Sequence, residues 1–84
     1  MWIVYILKCA DGKFYTGCTS DLNERMNRHH GGEVLSTKNR LPAILITYIV
    51  FSEKQKAYDF EKYLKTGSGR AVMKTPRLAL SDLQ

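Results

Sequence analysis

Apolar residues along this chain recur first at the spacing of strands and then at that of helices. Trp2 to Cys9 is apolar and β-branched with one lysine. It is too short for a helix of its own, so it predicts a strand. Asp11-Gly12 is a hairpin signal, and Lys13 to Thr19 returns as the second strand. Two loop lengths are open. A two-residue loop, Asp11 and Gly12, puts Tyr5 and Tyr15 on opposite faces of the sheet. A three-residue loop, Ala10 to Gly12 with the glycine left-handed, pairs Cys9 with Lys13 and Leu7 with Tyr15. Tyr5 and Tyr15 are then diagonal neighbours on one face, about 7–8 Å apart or less. The three-residue loop is the expectation, and it leaves Cys9 and Cys18 on opposite faces.

The period then lengthens. Ser20 or Asp21 caps a first helix, with Asp21 and Glu24 at capping-box spacing. Gly31-Gly32 ends it. At about 100° per residue, Arg25, Met26 and His29 all fall within about 60° of Leu22, whereas Glu24 and Arg28 lie opposite. Glu33 to Leu41 is a polar loop closed by Pro42. Ala43 to Phe51, almost wholly apolar, predicts a third strand buried on both faces with helices on each side. Ser52 is the expected cap of a second helix, with Gln55 at the capping-box position. There Ala57, Phe60 and Leu64 share their stripe with Glu61. Gly67 is expected to stop this helix. Ser68-Gly69-Arg70 opens a short basic segment to Lys74, and Pro76 sets off a tail. The expectation is one domain over residues 1–77 with a tail at 78–84, free of repeats and linkers.

Composition narrows the class. With 84 residues there is room for one sheet and a few helices around a modest core. No apolar run approaches the roughly 20 residues that span a bilayer. The N-terminus goes straight into a strand, so a soluble, cytoplasmic protein is expected. A net charge of +5 and a pI near 9.4 favour an anionic partner, of which nucleic acid is the usual one. Two cysteines, neither in a Cys-x-x-Cys pair, argue against a disulfide scaffold and a zinc site.

Three polar residues fall where the pattern calls for core: Arg25, His29 and Glu61. A charge buried there costs free energy unless something of opposite sign meets it. One reading is a purely structural Arg25–Glu61 ion pair with His29 hydrogen-bonded beside it, whose desolvation offsets its attraction. The other is a cleft in which the same groups are half-exposed and wait for a phosphate. Pattern alone leaves both open. Lys38, Arg40, Arg70 and Lys74 are solvated charges by default; a shared position would make them the nucleic-acid-binding residues.

Taken together, Tyr5 in Ile3-Val4-Tyr5, Tyr15 and Gly17 in Tyr15-Thr16-Gly17, Arg25-x-x-x-His29 and the helical Glu61 resemble the GIY-YIG endonuclease superfamily. The small standalone bacterial members are the nearer likeness, on Ser36-Thr37-Lys38-Asn39-Arg40 before Pro42 and on Glu61-Lys62-Tyr63-Leu64-Lys65 leading to Ser68-Gly69-Arg70. The likeness runs to about Arg77. Each motif is short, but five positions in order and spacing combine into a specific signal. Two positions depart from the pattern: no glycine opens the first signature, and Thr16 stands for the isoleucine of the second.

The resemblance implies an α/β fold of α+β type. Its three-stranded antiparallel sheet, ordered 2-1-3, is flanked by helices as β-β-α-β-α with a short C-terminal helix. It also implies metal-dependent hydrolysis of DNA phosphodiesters, structure-selective or weakly sequence-specific, in DNA repair, recombination or processing. On that carry-over Tyr5 is the general base or positions the water, and Tyr15 is its partner or a phosphate contact. Arg25 holds the scissile phosphate, His29 orients a tyrosine or relays a proton, and Glu61 binds one Mg²⁺, with Mn²⁺ as a substitute. A lone glutamate suffices for an ion that keeps its waters, and arginine suits bidentate phosphate contact. The implied partner is nucleic acid, DNA before RNA, with no membrane. A protein partner could supply specificity, and the chain would be a monomer or weak homodimer. The competing expectation is a nucleic-acid-binding module that does not cut, or cuts only with a partner.

Overall fold

The structure, a computed structural model, describes residues 1–74, with side chains through residue 71. The boundary at 77 and the tail at 78–84 lie outside the described residues. Strand β1 (Trp2–Lys8) is the centre of a three-stranded antiparallel sheet, flanked by β2 (Phe14–Thr19) and β3 (Ile44–Phe51) in the order β2-β1-β3. Among the described residues three helices accompany the sheet: α1 (Leu22–His30), α2 (Lys54–Leu64) and α3 (Gly67–Lys74). None of the described helices is long and apolar enough to cross a membrane.

The hairpin turns on three residues. Gly12 is left-handed at φ 81°, the Cys9 N–H donates to the Lys13 carbonyl at 2.9 Å, and Leu7 stands opposite Tyr15. Helix α1 is capped by Asp21, whose Oδ1 accepts from the Glu24 N–H at 3.1 Å. It ends at Gly31, followed by Gly32 at φ 74°.

The two faces of the sheet carry different cores. On one, Val4 and Ile6 meet Ala57 and Leu64 of α2, with Trp2, Phe14, Cys18, Phe51 and Phe60 around them. On the other, Tyr5, Leu7, Cys9 and Ala43 meet Tyr15, Leu45 and the α1 residues Leu22 and Met26. Cys9 and Cys18 therefore lie on opposite faces, both as free thiols.

Strand β3 departs from expectation. Ile44, Tyr48 and Val50 are 61, 51 and 47% exposed, so the strand is not buried on both faces. It lies at the sheet edge, and its register shifts between the partners of Ile6 and Leu7. Tyr48 pairs with Tyr5 and Val50 with Ile3, so both project from the α1 face, where the helix reaches Tyr5 and Tyr15 and leaves them uncovered.

The ends of α2 also differ. Glu53, not Ser52, is the cap residue and makes no side-chain capping bond; its carboxylate pairs with Lys56 at 3.1 Å, and Gln55 turns to Asp59 at 2.9 Å. The helix ends at Leu64, and Gly67 opens α3 instead of stopping α2. Thr66 makes the junction: its hydroxyl donates to the Tyr63 carbonyl at 2.6 Å and accepts from the Gly69 N–H at 3.2 Å. Gly69 is needed there, because a Cβ would overlap the backbone of Tyr63 and Leu64.

Candidate active site

The site begins at the cross-strand pair Tyr5–Gly17. A Cβ at Gly17 would overlap the hydroxyl and ring of Tyr5, so only glycine lets that ring lie across β2. Tyr5 thereby reaches α1, where its hydroxyl lies 2.8 Å from His29 Nε2. Tyr15 completes the arrangement. The three rings form a triangle with centroid separations of 6.3 Å for Tyr5–Tyr15, 5.6 Å for Tyr5–His29 and 5.2 Å for Tyr15–His29.

Behind His29 sits Thr37, from the loop after α1, with Oγ1 2.8 Å from His29 Nδ1; neither residue has exposed surface. This is the bond found for the Thr37 hydroxyl among the described residues, and a buried hydroxyl proton needs an acceptor. Tyr5 has a second neighbour for its proton in Tyr15, whereas Thr37 has none among the described residues, so Thr37 donates to Nδ1 and Nε2–H donates to the Tyr5 oxygen. That leaves the Tyr5 proton to point outward toward Tyr15. Burial, then Arg25 and the nearby His30 and Arg28, hold the His29 pKa below its ordinary value, which keeps the ring neutral. Burial pushes the Tyr5 hydroxyl up to about 12, with Tyr15 adding to the rise and Arg25 opposing it. Tyr5 is therefore a hydrogen-bond donor at neutral pH.

Arg25 reaches the same place from α1, one turn before His29. Its Nε is buried and has no hydrogen-bond partner among the described residues. Burial works against its charge, but the adjoining Tyr5 and Tyr15 hydroxyls outweigh that and favour the cation. A buried guanidinium donor without a partner costs free energy that an incoming acceptor would recover.

Four of the five expected residues thus converge on the α1 face, and Glu61 does not join them directly. It projects from α2, on the other side of β2, with 17% of its side chain exposed. Its Oε2 lies 3.4 Å from Lys65 Nζ. The Arg25–Glu61 ion pair of the purely structural reading is not formed. Cys18 of β2 lies between them: burial raises its thiol pKa, Glu61 raises it further, and Arg25 lowers it. The groups therefore wrap around the outer edge of β2.

Access divides them differently. Tyr15, Arg25 and Glu61 are partly exposed, whereas Tyr5 and His29 have no exposed surface, so His29 is not the half-exposed group of the cleft reading. The reason is the packing of α1 and the Thr37 loop over Tyr5.

The basic candidates are dispersed. Lys38 is exposed on the loop. Arg40 is tied by Nε to Asp11 Oδ2 at 2.8 Å and by Nη1 to the Ser36 carbonyl at 3.2 Å, pinning the loop to the hairpin. Arg70 is exposed beside Tyr15, and the Lys74 side chain lies outside the described residues. Sequence reasoning gave no role to Thr37, which has no periodic signal because it sits in a loop. It also passed over Lys65, although i, i+4 spacing to Glu61 is legible in the sequence.

Comparison with known proteins agrees with this fold. A sequence model described as the GIY-YIG catalytic domain matches residues 1–75. A UPF0213 protein of Streptococcus pyogenes serotype M5 is 39% identical over 69 residues, covering 81% of this chain and 75% of that protein. One from Streptococcus agalactiae serotype V is 38% identical over 71 residues, covering 83% and 81% respectively. The solution NMR structure of a UPF0213 protein from Bacillus halodurans superposes with a TM-score of 0.56 at 29% identity, covering 100% of this chain and 98% of that one.

Proposed function

This chain belongs to the GIY-YIG catalytic-domain family, and on that premise we propose that it is an endonuclease hydrolysing phosphodiester bonds of DNA with a divalent cation. The observation that carries the reading is the buried, unpartnered Arg25 Nε beside two tyrosine hydroxyls at the edge of β2. It is a prepaid donor for a phosphate oxygen.

Arg25 holds the reacting phosphate and offsets the charge that grows on it. Tyr15, partly exposed, accepts a hydrogen bond from the attacking water and so orients it, and the water's proton passes to solvent. Water oxygen bonds to phosphorus as the bond to the leaving sugar oxygen breaks. The sealed Tyr5 acts behind Tyr15: its proton, directed outward by the Thr37–His29 chain, holds the Tyr15 hydroxyl in place. The water-positioning role that the resemblance implies for Tyr5 thus moves to Tyr15.

Glu61 suits a hard divalent ion. It is one half-buried carboxylate that already holds an ammonium, and no group of three or more His, Cys, Asp or Glu gathers among the described residues. That donor set fits Mg²⁺, or Mn²⁺, completed by water and substrate phosphate, and does not fit Zn²⁺. When bound, the ion supplies Lewis-acid charge to the phosphoryl group.

The alternative, a nucleic-acid-binding module that does not cut alone, is favoured by the complete burial of Tyr5 and His29. A panel of labelled DNAs (duplex, single strand, flap and junction) with Mg²⁺ or EDTA separates the two. The wild type is expected to cut only with Mg²⁺, and Glu61→Ala to bind without cutting. Equal binding by both proteins with no product from either would establish the module.

A further inference from the structure

Resting on the nuclease reading, we propose that the cavity beside β2, α2 and α3 is an anion site that holds the phosphate next to the reacting one along the same strand. The cavity has a volume of about 190 Å³ and is lined by Phe14, Tyr15, Thr16, Leu64, Lys65 and Arg70. That is room for a phosphate and several waters, at about 30 Å³ per water. Two of its six lining residues are cations, and none is acidic.

Its wall is the open edge of β2. The Cys9 N–H bonds to the Lys13 carbonyl at the end of the hairpin. In the alternating antiparallel ladder, Tyr15 and Gly17 therefore turn their backbone groups toward β1, and Phe14 and Thr16 turn theirs outward. Among the described residues no strand lies beyond β2, so these outward N–H groups face the side from which Lys65 and Arg70 approach. Amides flanked by two cations are an anion-binding arrangement.

The cavity is joined to the reacting centre twice. Tyr15 belongs to both. Lys65 lines the cavity and pairs with Glu61, one helical turn or about 6 Å away. A divalent ion held by Glu61 would compete with the Lys65 ammonium for the same carboxylate. A single strand running along β2 would meet Arg25 and then Lys65 with Arg70.

Binding in EDTA tests this without requiring cleavage. A short fluorescein-labelled single-stranded oligodeoxynucleotide is titrated by anisotropy at several salt concentrations. Arg70→Met is expected to lower the slope of log K against log salt by about 0.7, one single-strand phosphate contact. Adding Lys65→Met should lower it further. In a ¹⁵N spectrum, the Phe14 and Thr16 amides should shift with a 5′-phosphorylated dinucleotide, remain still with thymidine, and lose the shift in the double variant. Wild-type slopes in both variants, or Phe14 and Thr16 amides indifferent to the phosphate, would overturn the proposal even if the protein cuts DNA. Reduced slopes and shifted amides in a protein that never cuts would uphold the anion site and remove the nuclease reading.

Discussion

Thr37 and His29, eight residues apart and both without exposed surface, are joined by a 2.8 Å bond between Oγ1 and Nδ1. Through it a loop residue sets the tautomer of the histidine beneath Tyr5. Replacing the hydroxyl by a methyl in Thr37→Val leaves Nδ1 buried and unpaired, at a cost of about 1–3 kcal/mol. Thr37→Ser should retain the bond and most of the stability. Urea unfolding measures the cost, and ¹⁵N chemical shifts of the His29 ring should show the proton on Nε2 in the wild type. A proton on Nδ1 would reverse the assigned direction of the chain.

Gly17→Ala should cost about 1–3 kcal/mol by overpacking, since the new methyl occupies the place of the Tyr5 ring. Pairing it with Tyr5→Ala, which vacates that space, should recover part of the loss in a double-mutant cycle. Additive losses in denaturant unfolding would show that the two residues do not compete for the same volume.

Stability should fall on both sides of neutrality. The His29 pKa is lowered in the folded protein, so the unfolded chain binds the proton more tightly. Its contribution is complete above the unfolded value near 6.5 and declines as pH falls from there through the folded pKa. Tyr5 works at the other end. Its pKa rises from 10.0 to about 12, so its contribution is present below about 10 and is lost as pH rises through that interval. Denaturant midpoints across pH should decline on both limbs, and Tyr5→Phe should flatten the alkaline one.

Arg40→Met should affect stability more than affinity. The Asp11–Arg40 pair ties the hairpin to the loop that carries Thr37, and Asp11 also accepts from the Lys13 N–H at 2.9 Å. The Lys13 amide, followed by Arg40, lowers the Asp11 pKa. Both side chains are partly exposed, so solvent screening keeps the loss small. Thermal unfolding should shift while the salt slope of oligonucleotide binding stays at the wild-type value. A shallower slope with unchanged melting would instead make Arg40 a phosphate contact.

The sequence by itself determined what depends on neighbours along the chain. Asp11-Gly12 placed the hairpin turn, though two loop lengths fitted it and the pairing of Leu7 with Tyr15 decided that Tyr5 and Tyr15 share one face. Asp21 with Glu24 marked the start of α1, and helical spacing put Arg25 and His29 on its inward stripe. These are local relations, settled by backbone sterics and side-chain period. The signatures around Tyr5, Tyr15, Arg25, His29 and Glu61 also carried the family.

Tertiary structure decided which face each element covers. It lodged Thr37 behind His29, sealed Tyr5 from solvent and left Tyr48 and Val50 bare on β3. It also set Glu61 across β2 from Arg25 with Lys65 as its partner. Periodicity shows that a residue points inward; it does not show what waits there. Those contacts depend on residues distant in sequence, brought together only when the helices and the loop after α1 dock on the two faces of the sheet.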